Sequence, residues 1–366
     1  MKTTPLHAAH LALKAKMAEF AGYDMPIQYQ DGVLAEHHWT RDHCGVFDVS
    51  HMGQIWLEGA GAAALWDRLT PSVISEIPVN TAKYSVLTNE QGGIIDDLII
   101  TRLSEDKFFA VINAGCKDKD IGWIQQNLTD DAVFTNLEDR ALLALQGPKA
   151  EQVLKEALGI DAAALAYMHY MEQGPYWISR LGYTGEDGFE VSMPSADAAE
   201  AWEKLLNHPE VKPAGLAARD SLRLDMGYPL YGHDLDADIT PVEAGLSWII
   251  GKDHTGYSGE KTIRAQRESG PVKKRIGFKL TGKGIAREGA EIYGMDGVKT
   301  GDVTSGGFSP TLNEAIGQAY VTAEHAAAGT PILVRVRGRD IEGVIAPMPF
   351  VPAKTKIAAK AKTARQ

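Results

Sequence analysis

A mixed α+β chain of two or three domains, closing in a small all-β module, is the fold class that three features of the sequence predict. The chain has 366 residues, more than the about 250–300 at which a single core stops growing. Up to about residue 270, stretches with apolar spacing near 3.6 are interspersed with short runs of strand-like alternation. After Lys273 the texture changes to short strands punctuated by glycine, the pattern of a small barrel.

The elements follow in chain order. Residues 5–20 place Leu11, Ala15 and Ala18, with Leu13, Met17 and Phe20, at helical spacing and predict a helix. Residues 22–29, with Gly22 and Pro26, read as a loop. Gln54, Trp56 and Glu58 alternate with Ile55 and Leu57 as in a half-buried strand, and 62–69 reads as a short helix stopped by Pro71. Strands are predicted at 84–88, 94–103 and 108–113, then a helix at 118–128, a strand at 141–146 and a helix at 148–158. A hairpin of 176–183 with 189–193 precedes helices at 196–206 and 215–226. The terminal module supplies strands at 275–280, 301–308, 316–321, 332–336 and 341–346. Residues 354–366 are rich in Lys and Ala with few apolar anchors, and predict a flexible basic tail.

Composition excludes several classes of function. Apolar residues make up 44% of the chain, enough for ordinary cores. Lys and Arg number 37 against 48 Asp and Glu, a net charge of −11. That balance lacks the basic footprint that nucleic acid requires. Cys44 and Cys116 stand far apart, outside any disulfide or zinc spacing, which fits a reducing compartment. The first residues do not show the apolar core and small-residue cleavage site of a signal peptide, and no apolar run approaches the ~20 residues of a membrane span. A cytoplasmic protein, binding neither nucleic acid nor membrane, is the expectation.

Asp96 and Asp97 are the first candidates for chemistry. They follow a Gly92-Gly93 turn and lie inside an apolar strand, so one carboxylate points inward. A buried carboxylate is costly unless hydrogen bonds or a ligand satisfy it. Capping of the nearby turn is the plainer use of such an aspartate. In the 189–193 strand, alternation puts Phe189, Val191 and Met193 on one face and Glu190 and Ser192 on the other. Glu190 is thus either solvent-facing or a ligand-facing carboxylate. On the 215–226 helix Arg219 and Arg223 share a face at i,i+4, suited to a carboxylate- or carbonyl-rich ligand unless Asp220 and Asp225 pair with them.

Other motifs carry less. Gly59, Gly61 and the alanines after them imitate a dinucleotide fingerprint, but the preceding strand alternates as a doubly buried parallel strand does not. His37, His38, His43 and His51 lack metal-ligand spacing and fit core or capping roles.

Taken together, the ordered segments resemble the aminomethyltransferase (T-protein) family of the glycine cleavage system. The resemblance rests on residues 16–22 and 25–29, on Asp48, Val49, Ser50, His51, Met52 and Gly53, and on the Tyr84 to Leu87 run leading into 92–100. It continues through Asn113-Ala114, Gln146-Gly147-Pro148, the 183–190 hairpin, the Arg219 helix, Leu230-Tyr231-Gly232, Thr304-Ser305-Gly306 and 348–352. Two departures stand out. Ala353 and Lys354 follow the Phe-Val-Pro segment where some relatives carry a tyrosine, and Asp225 replaces a common glutamate.

The resemblance implies a three-domain, cloverleaf-like α+β fold around a tetrahydrofolate cavity. A folate-binding region, 1–270, would consist of two interleaved lobes, one from about 1–50 and 140–270 and the other from about 51–139. A β-barrel would cover 271–353. The implied reaction transfers the one-carbon unit from the aminomethyl-dihydrolipoyl arm of H-protein to tetrahydrofolate, releasing ammonia. By motif, Asp96 takes the acid/base position, Glu190 the pterin edge and Arg219 a folate contact, while Met52, Tyr84, Asn113 and Tyr183 line the pocket. Lipoylated H-protein is the implied partner, tetrahydrofolate the cosubstrate, and no metal is demanded. A tetrahydrofolate-dependent demethylase on the same scaffold is the alternative.

Overall fold

Ala141, Leu142, Leu143, Ala144 and Leu145 form an unbroken apolar run, which a strand satisfies only by burial on both faces. In the computed structural model, which describes residues 1–356, this run is the strand Arg140–Gln146 inside a six-stranded sheet. The strand order is Tyr170–Gln173, Tyr176–Ser179, Gly188–Pro194, Arg140–Gln146, Cys44–Asp48 and Val211–Pro213, antiparallel except for the last pair. Ala141, Leu143 and Leu145 pack on one face with Phe189, Val191 and Met193, beneath the helices Ala150–Leu158 and Ala198–Leu206. Leu142 and Ala144 turn to the opposite face. There they meet Phe109 and Val111 of a second sheet and Leu222 of the helix Leu216–Asp225.

The second sheet has five antiparallel strands in the order Thr81–Thr88, Ile94–Arg102, Lys107–Ile112, Gly53–Glu58 and Val133–Asn136. The helices Ala62–Leu69 and Lys117–Gln126 cover its far face over Leu98, Ile100, Phe108 and Ile112. The C-terminal strands close into a six-stranded barrel running from Lys273–Leu280 to Arg339–Ala346. The expected lobe boundaries put residues 140–270 wholly with the first lobe. Leu235, Ile239, Leu246 and Ile263 instead pack on Val86 and Ile94 of the five-stranded sheet and on Tyr320 of the barrel.

Three local expectations are corrected. The predicted helix 5–20 ends early: the helix His7–Ala12 stops before Lys14, which has φ 53°, and Lys16–Phe20 is a strand. The expected loop 22–29 is its partner, Tyr23–Gln28, joined through Ala21 and Gly22, both at positive φ. A five-residue hairpin strand is too short for apolar spacing to separate it from a helix. The tail is anchored at its start: Lys354 donates its backbone N–H to Gly185 O (2.8 Å), and the Lys356 ammonium pairs with Glu151 (2.8 Å). The rest of the expected flexible tail, from residue 357, lies outside the described residues.

The helix Val33–Asp42 has no counterpart in the sequence reading, because its inward face is polar. It buries Glu36, His37, Thr40 and Arg41. Arg41 reaches Asp225 (2.9 Å) and Glu186 (3.1 Å), and Ser309 of the barrel donates its hydroxyl to Asp225 (2.5 Å). Asp225 thus fits its site as an aspartate. Asp220 does pair with Arg223 (2.8 Å), whose guanidinium also meets Asp234 (2.9 Å) and Ser305 (3.0 Å). The buried Ser309–Asp225 and Arg223–Ser305 contacts tie the helix Leu216–Asp225 to the barrel.

The turn before the aspartates is clamped by a neighbouring loop. Ile94 N–H lies within hydrogen-bond reach of Asp236 O (3.1 Å) and Ile239 O (2.9 Å), and a Cβ on Gly93 would stand 1.7 Å from Ala237 O. Backbone meets backbone there, so no side chain can yield. Gly93→Ala is expected to lower unfolding free energy by about 1–3 kcal/mol, as overpacking does, read from chemical denaturation.

Candidate active site

Register decides which aspartate faces inward. Along Ile94–Arg102, Asp97 and Ile99 share a face with Tyr84 on the next strand, whereas Asp96, Leu98 and Ile100 turn toward the covering helices. The first face looks onto a chamber of about 1490 Å³ enclosed by both sheets and the barrel. Asp97 lines that chamber and Asp96 does not. The expected acid/base position at Asp96 is corrected accordingly: its side chain is fully buried behind the sheet. Residue spacing established that the pair splits across the sheet, but not which member faces the cavity.

Asn113 bridges the two carboxylates from the end of the adjacent strand. Its Nδ2 donates to Asp96 Oδ1 (2.9 Å), to Asp97 Oδ1 (2.9 Å) and to Asp97 O (3.0 Å), and its backbone N–H donates to Asp96 Oδ2 (3.0 Å). Tyr84 donates its hydroxyl to Asp97 Oδ2 (3.0 Å). Burial and the neighbouring Asp96 push the Asp97 carboxyl up to about 7, with Tyr84 and Asn113 pulling the other way. A carboxyl poised there accepts or gives a proton near neutral pH with little driving force wasted.

Across the chamber stand Glu190 and Arg219. Glu190 lies opposite Ala144 in the register, on the chamber face of the six-stranded sheet. Arg219 projects from the Leu216–Asp225 helix with its Nη2 4.0 Å from Glu190 Oε1, too far for a hydrogen bond. Its Nη1 is buried without a partner among the described residues. Its guanidinium sits over the Tyr183 ring at 5.0 Å. Burial raises the Glu190 carboxyl and lowers the Arg219 guanidinium from their usual ranges, each partly offset by the other. An acceptor pair and a free forked donor therefore face one volume, an arrangement that suits a ligand with N–H donors and a carboxylate or carbonyl.

Met52, Tyr84, Asn113 and Tyr183 also line the chamber. Arg223 touches it too, but its donors are engaged by Asp220, Asp234 and Ser305, so Arg219 alone of the expected pair offers free donors. His51 and Trp248 are among the liners that the sequence did not mark as such. His51 is buried and its imidazole is pulled down to about 4 by burial, so it is neutral. Trp248 is 68% exposed at the rim and stacks on Tyr84 with ring centroids 5.9 Å apart; the 3-10 turn Ser247–Ile249 that carries it is too short for a periodic signal.

The rejected motifs have structural uses. The Gly59 to Gly61 segment approaches Asp131, and a Cβ at Gly61 would lie 2.2 Å from its carboxylate, which occupies the space a phosphate would need. His37 bonds with Ser221 and Thr311 (both 2.8 Å), and His43 pairs with Glu210 (2.5 Å). Cys44 and Cys116 are unpaired and buried.

Comparison with known proteins bears on the whole chain. Residues 6–254 match the family model described as the GCVT N-terminal domain, and residues 273–352 match the glycine cleavage T-protein C-terminal barrel domain. A mitochondrial aminomethyltransferase of Canis lupus familiaris is 43% identical over 96% of this chain and 90% of its own. An aminomethyltransferase of Herpetosiphon aurantiacus is 38% identical, with 97% and 100% covered. The crystal structure of glycine cleavage system aminomethyltransferase T from Bartonella henselae superposes with a TM-score of 0.94 at 39% identity, covering 97% of this chain and 99% of that one.

The raised Asp97 carboxyl has a consequence for stability. The folded protein holds this proton up to about 7, whereas an unfolded aspartate releases it near ~3.9. Its contribution is therefore full below the unfolded value and lost as pH rises through about 7. Asp97→Asn removes that dependence. Thermal melts are expected to show the variant gaining on the wild type between pH 5 and pH 8, with a gap that widens at the higher pH.

Proposed function

Because this chain belongs to the glycine cleavage T-protein family of aminomethyltransferases, we propose that its chamber holds tetrahydrofolate with Asp97, rather than Asp96, against the reacting edge. The activity is that of an aminomethyltransferase: the one-carbon unit leaves the aminomethyl-dihydrolipoyl arm of H-protein, ammonia is released and methylene-tetrahydrofolate forms. The relatives described above are named for aminomethyl transfer, which favours this reading over a demethylase on the same scaffold.

The observation that carries the proposal is the facing arrangement of Asp97, held by Tyr84 and Asn113, and the Glu190–Arg219 pair with its unmet hydrogen-bonding capacity. Tetrahydrofolate supplies the acceptor nitrogens when bound. Glu190 accepts hydrogen bonds from the paired N–H donors of the pterin, and Arg219 donates to its carbonyl-bearing or carboxylate groups. Tyr183, under the Arg219 guanidinium and stacked on Tyr228 at 5.7 Å, keeps that arginine in place. Asp97 holds a proton for the leaving amine when neutral. When ionised it takes one from the acceptor side and stabilises positive charge beside it. Tyr84 and Asn113 keep its two oxygens oriented through both states.

The volume of about 1490 Å³ exceeds the about 300–1,000 Å³ of ordinary small-molecule pockets, leaving room for the tip of a lipoyl arm beside folate. Lipoylated H-protein is accordingly the proposed partner. No residue set in the chamber calls for a metal in this chemistry. A cytoplasmic setting is proposed on the bacterial relatives and on the two unpaired, buried cysteines. Among the described residues no helix is long and apolar enough to cross a membrane.

The test is reconstitution with aminomethylated H-protein, following ammonia release with and without tetrahydrofolate. Asp97→Asn is expected to cut the folate-dependent rate by ~10²–10⁴ while folate binding persists. Glu190→Gln is expected to raise the folate Kd by about tenfold or more, a loss of at least ~1.4 kcal/mol. The wild-type rate should show a pH limb with its midpoint at about 7, following the titration of Asp97. Full activity in Asp97→Asn would remove the proton role.

A further inference from the structure

A third carboxylate lies behind the pair. Asp120, on the helix Lys117–Gln126, is fully buried against the covered face of the aspartate strand. One of its oxygens, one Asp96 oxygen and the Cys116 sulfur lie within 4.8 Å of one another. Among the described residues, neither Asp120 oxygen meets an N–H or O–H donor. Lys119, next in the chain, directs its ammonium instead to Ile95 O and to the Tyr231 hydroxyl (2.7 Å). Asp96 is the opposite case, since Asn113 donates to both of its oxygens.

Two buried ionised carboxylates in contact, with no cation between them, would carry an uncompensated desolvation and repulsion cost. A single proton removes that conflict. The member with donors on both oxygens keeps the charge, and the member without donors keeps the proton. We propose that Asp120 is a neutral acid that donates a hydrogen bond to Asp96, and that this shared proton makes Asp120 a positioning residue for Asp97. The proposal deepens the reading of Asp97 given above and rests on it.

Asp96, kept singly charged, pins Asn113, and Asn113 in turn orients Asp97. The charge on Asp96 also raises the proton affinity of Asp97. Burial and the Asp96 charge drive the Asp120 carboxyl far upward, in keeping with a retained proton. The other titratable groups around the cluster are Tyr84 on the neighbouring strand, Cys116 and Lys119 at the start of the helix, and Tyr231 from the loop above. Each is shifted upward, away from the neutral range. Asp97 is left as the member that titrates near pH 7.

The variants differ in whether Asp96 keeps a donor at position 120. Asp120→Asn keeps a donor for Asp96 and leaves the charge of the pair unchanged. Asp120→Ala removes that donor and leaves Asn113 alone to hold Asp96, again without changing the charge of the pair. Two readouts on the full-length protein separate the proposal from the catalytic reading. Infrared spectroscopy at pH 9, where Asp97 is ionised, should show a protonated-carboxyl band that moves on ¹³C-aspartate labelling and disappears in Asp120→Asn. The pH profile of ammonia release should keep its midpoint within about 0.3 unit in both variants, with the rate lowered more in Asp120→Ala than in Asp120→Asn. Absence of the band would overturn the proposal, and so would an equal fall of the midpoint in both variants, which would mean that Asp120 carried a charge. Stoichiometric divalent metal in the purified wild type, lost in Asp120→Asn, would also overturn it by putting an ion where the proton is assigned. A band present in an enzyme whose rate shows no limb near pH 7 would uphold the shared proton and refute the role of Asp97.

Discussion

A strand must send successive side chains to opposite faces, and here that rule is applied to two charges. Asp97 enters a chamber where a ligand can reach it, while Asp96 enters the packed layer behind. Their backbones are one peptide apart, so neither charge escapes the field of the other. Asn113 resolves the geometry by donating to both at 2.9 Å. What remains is a carboxyl whose proton is held to about 7, suited to moving protons in both directions at neutral pH. The functional proposal depends on that single consequence of strand geometry.

The remainder of the fold holds this strand against its partners. The six-stranded sheet brings Glu190 to the chamber from one side and the helix Leu216–Asp225 brings Arg219. That helix is held at its end by Asp225 to Arg41 and Ser309, and two residues earlier by Arg223 to Asp234 and Ser305. Such pairs are expensive to break once buried, because removing one partner strands the other charge. They fix the barrel to the two lobes and so set the distance across the cavity. The Arg219–Glu190 contact is held at 4.0 Å, open enough for each to keep hydrogen-bonding capacity for a ligand.

Much of this was legible in the sequence. Segments with clear alternation or helical spacing, such as 54–58, 62–69 and 316–321, lie within or coincide with elements of the structure, and the glycine-punctuated terminal strands do close into a barrel. The helix Val33–Asp42 was illegible because it buries ionic partners instead of an apolar stripe, and the signal for such partners lies far away in the chain at Glu186 and Asp225. The hairpin 16–28 was misread because five-residue strands fit a helical spacing by chance. Glu190 and Arg219 were found from alternation and i,i+4 geometry combined with family motifs. The choice between Asp96 and Asp97 was lost by one residue, since alternation establishes that two faces differ without saying which is covered. Asp120 gave no signal at all, because its partner contacts arise only when the helix Lys117–Gln126 docks on the sheet.

Whether Asp97 holds its proton to neutral pH is decided by titrating that carboxyl in the ligand-free protein. Carboxyl ¹³C shifts of aspartate-labelled protein, with the resonance assigned by its loss in Asp97→Asn, report the proton without any reliance on turnover. A midpoint at about 7 is expected. A midpoint near the ordinary aspartate value of about 3.9 would contradict it, because a carboxyl already ionised well below neutral pH cannot serve as the proton donor described here.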